Sequence, residues 1–211
     1  MLRQIVAKDL ISKVAQNYRE RLARVISDRE SEMEFDDIAH YLVYRVLGIS
    51  QEEGERIDRY QNKGRFVYRY AGTFLEDAAK ICLRLADPEA EAAKVPNTFG
   101  QRPKTFEIDC LTGIRAYEIK WRDATTDGDH ITKEHTRIRA ISGKGYIPIR
   151  VMFYYPNRSQ AQRIQATLAT LYDGVGGEYY CGDAAWEHIK SVTGVDLLQV
   201  LEEIADDVSP G

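Results

Sequence analysis

Cysteine is scarce in this chain of 211 residues: Cys82, Cys110 and Cys181 are odd in number and far apart. No C-x-x-C pair occurs, which argues against a zinc cluster or a disulfide framework and points to a reducing cytoplasm. No apolar run approaches the roughly 20 residues of a membrane helix. The opening MLRQIVAKDLISK lacks the apolar core and small-residue cleavage site of a secretory leader. Internal repeats and low-complexity tracts are also missing, which excludes solenoids and disordered tails.

What is present is an ordinary globular composition, 44% hydrophobic and 29% charged, with a net charge of −4. That total hides an asymmetry. Residues 115–170 hold ten Lys and Arg against five Asp and Glu, whereas residues 171–211 hold one against nine. A basic middle is a candidate polyanion surface, and the acidic tail suits packing or subunit contact.

Apolar spacing predicts helices in the first half. One is capped by Asp9 and carries Leu10, Val14, Tyr18, Leu22 and Val25; a second runs from about Asp36 to Gly48. A third enters through Ser50 and Glu53 as a capping box. The run GRFVYRYAG (64–72) reads equally as strand or helix, and helix returns from Thr73 to Ala86. Pro88, Pro96, Gly100 and Pro103 predict a loop over 87–104. A hairpin follows over 106–122. TTDGD (125–129) then reads as a turn with Asp129 capping a helix that ends before Gly143. YIPIRVMFYYP (146–156) reads as a buried strand, 157–172 as a helix, and the tail as two more helices from Asp183 and Asp196. The class is α/β or α+β: a small mixed β-sheet flanked by helices, with an N-terminal helical region.

The hairpin FEIDCLTGIRAYEIKWR carries the chemistry. With strict alternation, Glu107, Asp109, Glu118 and Lys120 share one face, and Phe106, Ile108, Cys110, Tyr117, Ile119 and Trp121 the other. Depending on the turn, Asp109 faces either Ala116 or Glu118. A wet hairpin face would explain such residues without chemistry. Yet three carboxylates against one cation repel one another unless something positive sits among them. Oxygen ligands in excess suit a hard divalent ion such as magnesium. Asp109, Glu118 and the Ile119 carbonyl are the candidate ligands. Lys120 is the candidate for orienting water and stabilising charge on a phosphate.

Asp109, eight residues, then Glu118-Ile119-Lys120 resembles the PD-(D/E)xK nuclease signature, with Ile108 where that motif has proline. The surrounding run EIKWRDATTDGDHITKEHTRI is similar to type II restriction endonucleases of the ApaLI-like group. The resemblance covers roughly residues 70–175. It implies a restriction-endonuclease-like core of helix, three strands, helix and strand. It implies a carboxylate from the first helix, with Glu76 as the match and Asp77 or Glu107 as alternatives. It also implies Mg2+ as cofactor (Mn2+ in its place), double-stranded DNA as substrate, and a homodimer matched to a palindromic site. On this reading residues 1–70 are an N-terminal helical region for dimerisation or embracing DNA, 71–175 the nuclease core, and 176–211 a helical tail packed on it. Candidate DNA contacts are Arg122, Lys133, His135, Arg137, Arg139, Lys144, Arg158 and Gln160. A repair or recombination nuclease on the same core, or a non-catalytic helical interaction protein, are the competing readings.

Overall fold

The computed structural model describes residues 2–100, 102–122 and 128–208. The chain divides into two compact units, residues 13–74 and residues 1–12 with 75–211.

The smaller unit is helical. It takes in most of α1 (Leu2–Met33), a 3-10 turn (Ile38–His40), α2 (Tyr41–Val46) and the first two thirds of α3 (Gln51–Ala86). No glycine or proline interrupts residues 2–33, so the helix forms well before Asp9, which sits inside it instead of capping it. Ser50 does cap α3, accepting from the Glu53 N–H at 3.2 Å. The ambiguous run 64–72 is helical. Tyr70 and Phe74, four residues apart, share a face and both pack edge-to-face with Tyr18, with ring centroids 5.9 and 5.8 Å away.

The larger unit is built on a five-stranded sheet ordered β1 (Glu91–Pro96), β2 (Thr105–Thr112), β3 (Arg115–Arg122), β4 (Ile147–Tyr154) and β5 (Glu178–Cys181). The first three strands run antiparallel and the last three parallel. β1 lies inside the segment expected to be loop. Its sequence, EAAKVP, has little strand preference and ends in proline, both tolerable at a sheet edge where β2 supplies the pairing. β5 is likewise an edge strand, of four residues, inside the expected helical tail.

The crossovers α4 (Gly128–Ser142) and α5 (Ser159–Gly174) cover the sheet face that holds Glu118 and Arg150. α6 (Asp183–Thr193) covers the other face, where Trp186 packs on Phe153 at 4.3 Å. α7 (Leu197–Val208) is capped by Asp196, which accepts from the Gln199 N–H at 3.1 Å. α6 is entered through Gly182 with Asp183 already helical. α4 begins at Gly128, one residue before the expected Asp129 cap; residues 123–127, with most of the expected turn, lie outside the described residues.

Candidate active site

The β2–β3 turn resolves the register. Thr112 pairs with Arg115, Leu111 with Ala116 and Cys110 with Tyr117. One step further, the same register sets Asp109 against Glu118. Pairing of β2 with β3 stops there, although β3 continues against β4 as far as Arg122. β2 itself is irregular at this point: three residue steps from Ile108 to Leu111 oppose two from Ala93 to Glu91 on β1. The extra residue is a β-bulge at Asp109–Cys110, which reverses the alternation and re-aims side chains.

The bulge corrects the expectation of a single polar face. Phe106 and Ile108 pack with Ala116, Ala140 and Ile141, so they share a core with the β3 face that bears Glu118. Glu107 is turned away from Glu118 and pairs with Lys94 at 2.9 Å, largely in solvent. Asp109, in the bulge, fills the gap where the strands part: its Oδ2 accepts the Ile119 N–H at 2.8 Å. The residue whose carbonyl is the expected further ligand thus holds the first carboxylate through its amide.

Glu118 is 9% exposed. Lys120 Nζ lies 2.6 Å from its Oε1, and the Arg137 guanidinium is paired with its Oε2. Burial would raise the Glu118 pKa, but Arg137, Lys120 and Arg150 outweigh it and hold the group well below the usual carboxylate range. Asp109 has the opposite fate. Burial, reinforced by the charges of Glu118 and Glu76, pushes it up from 3.8 to about 7, against the pull of Lys120 and the Ile119 N–H. Glu76, on α3, is therefore within electrostatic range of Asp109; it is paired with Lys80 at 2.6 Å, as is Asp77 at 3.7 Å.

Behind Glu118 lies a buried ionic network. Glu134 of α4 accepts from Arg137 Nη1 at 3.1 Å, Arg150 Nη1 at 3.3 Å and the Tyr172 hydroxyl at 2.5 Å. Arg137 stands among the expected DNA contacts, and residues 146–156 are expected as a buried strand. Arg137 is instead 8% exposed, and Arg150, in the middle of that run, is 1% exposed. The signal for both was available: an arginine within IPIRVMFY, and Glu134 three residues before Arg137.

The other expected DNA-facing residues lie at the surface. Lys133, His135 and Arg139 are exposed on α4, with Arg139 stacked over Phe99 at 4.3 Å, and Lys144 follows the helix. Arg122 and Arg158 share a cleft of about 560 Å3 with Trp121, Tyr154, Tyr155, Pro156 and Asn157, at the end of β3 beyond Lys120. Gln160 is exposed nearby on α5.

Among the described residues, no three His, Cys, Asp or Glu side chains converge as a ready cation cage. The donor chemistry nevertheless fits a hard cation. Asp109 and Glu118 come from adjacent strands, Glu76 adds to the charge they present, and the burial and mutual repulsion that raise Asp109 are what a divalent ion would offset. Lys80 and Lys120 partly neutralise these carboxylates in the metal-free arrangement.

A family model described as ApaLI-like restriction endonuclease matches residues 2–206. No curated protein matches the chain, and no solved structure does.

Proposed function

The chain belongs to the ApaLI-like restriction endonuclease family, and from that premise we propose that it hydrolyses duplex DNA at a short palindromic sequence, in the cytoplasm, as a magnesium-dependent homodimer. The observation that carries the reading is the fork between β2 and β3, where Asp109 is held on the Ile119 N–H and Glu118, opposite it, is paired with Lys120.

Asp109 and Glu118 would hold the ion, with the Ile119 carbonyl and Glu76 as further oxygen donors. Magnesium, or manganese in its place, supplies Lewis-acid polarisation of the phosphate and an acidified water when bound. Lys120, which is paired with Glu118, would orient the attacking water and stabilise the charge growing on the phosphate. Asp109 has to be ionised to take part, and a bound divalent ion would favour that form against the burial that raises its pKa.

Arg122 and Arg158, which line the cleft at the end of β3, would contact the DNA backbone. Lys133, His135, Arg139, Lys144 and Gln160 offer further exposed contacts on the basic middle of the chain. Arg137 is enclosed and leaves that set.

The test is digestion of a fully sequenced plasmid with magnesium, followed by end mapping, for the parent, Asp109→Ala and Lys120→Ala. Discrete fragments from the parent with one sequence at every end, and a loss of at least about a hundredfold in both variants, are expected. Equal cleavage by the variants would refute these roles, and ends without common sequence would refute site recognition.

A further inference from the structure

We infer that Arg137 is a positioning residue, which fixes the Glu118 carboxylate and the width of the β2–β3 fork; the inference rests on the reading of Asp109 and Glu118 as the site. One guanidinium ties three elements together. Its Nη2 pairs with Glu118 on β3. Its Nε and Nη2 donate to the Glu107 carbonyl on β2, at 3.3 and 3.0 Å, two residues before the bulged Asp109. Its Nη1 bonds Glu134 on its own helix at 3.1 Å. It therefore bridges the two strands where their pairing with each other has stopped.

Glu134 in turn is held by Arg150 and Tyr172, from β4 and α5. Arg150 lies in register beside Glu118 across the parallel β3–β4 pair, so the network returns to the carboxylate it supports. Stability alone is a poor account of four charged groups buried together. An apolar set of similar volume is often as stable or more so. Arg150 Nε also has no hydrogen-bond partner among the described residues, a cost that a purely structural network has no reason to keep.

A planar fork of five donors satisfies a carboxylate, a carbonyl and a second carboxylate at once; an ammonium on a flexible stem does not. Arg137→Lys keeps the charge and discards that geometry. A charge that only balanced Glu118 would be replaced by it, and a clamp would not.

The experiment compares the parent with Arg137→Lys in three measurements: magnesium affinity by calorimetry without DNA, kcat and KM for plasmid cleavage, and thermal unfolding to establish that the variant is folded. Loss of a supporting partner of this kind costs about ten- to a hundredfold in metal affinity or activity. We expect magnesium affinity and kcat each to fall by about tenfold or more, with KM for DNA within about twofold. Unchanged affinity and kcat would overturn the inference, as would a rise in KM alone, which would make Arg137 a DNA contact. Should Arg137→Lys fail to fold, Glu134→Gln decides. It keeps the volume and the Tyr172 hydrogen bond while loosening the hold on Arg137, and the same two losses, smaller in size, are expected; parent-like values overturn the inference. A parent that neither binds magnesium nor cuts DNA removes the proposed function and this inference together. A parent that does both, with Arg137→Lys indistinguishable from it, removes this inference alone.

Discussion

Asp109 sits where burial and the neighbouring Glu118 and Glu76 disfavour a negative charge, more than the Lys120 charge and the Ile119 N–H favour it. Its pKa of about 7 in the folded protein, against 3.8 ordinarily, means that between about pH 4 and pH 7 the folded form keeps a proton that the unfolded chain has released. Stability of the metal-free protein therefore falls as pH rises through that window and stays lower above it. Across that whole window this amounts to about 4 kcal/mol at most. Urea unfolding of metal-free protein at pH 5 and pH 8 checks this. The parent should lose more stability over that interval than Asp109→Asn, by up to about 3 kcal/mol, and magnesium should restore the parent at pH 8. Parallel behaviour of the two proteins would contradict it. Single residues were partly legible in the sequence. The spacing of Asp109, Glu118 and Lys120 was readable because the β2–β3 turn fixes it locally, whereas the burial of Arg137 depends on α4 lying over the fork.

Among the elements, β2 shows where sequence reading stops. FEIDC alternates without a flaw, so period-two reasoning puts Glu107 beside Asp109. The bulge that separates them arises from pairing with β1, and EAAKVP carries too little strand signal to reveal a partner. Helices fared better, since their pattern is local: Ser50, Gly143 and Asp196 mark true ends. Their starts were less clear, because Asp9 and Asp183 look like caps but lie within helices. The α5–β5 junction offers a test of close packing. A Cβ on Gly177 would stand 2.6 Å from the Pro148 carbonyl oxygen and 3.1 Å from that of Tyr172, both backbone atoms that cannot step aside. Gly177→Ala should destabilise by about 1–3 kcal/mol through overpacking. Gly174→Ala, with open space around its Cβ at the end of α5, should be neutral or stabilising by up to about 1 kcal/mol. Thermal unfolding of both variants decides the contrast, and equal effects would mean that β5 does not dock as described.

For the whole molecule, the class of fold could be argued from the chain alone, because helix, hairpin, helix and buried strand occur in that order along it. The edges of the sheet could not, since both edge strands are defined by their neighbours rather than by their own residues. The charge asymmetry had a similar fate. The basic middle of the chain supplies exposed residues on α4 together with Arg122 and Arg158, but it also supplies the two arginines that the fold buries against Glu118 and Glu134. Counting charge along a sequence does not separate the two uses. No helix among the described residues is long and apolar enough to cross a membrane. The account rests on a divalent ion lying between Asp109 and Glu118, and the most direct test is an anomalous difference map from a crystal of the protein soaked in manganese. The account predicts one peak at the β2–β3 fork, about 2.1–2.3 Å from an oxygen of each carboxylate, with Lys120 released from Glu118. No peak there, with Asp109 still on the Ile119 N–H and Glu118 still held by Lys120 and Arg137, would contradict it.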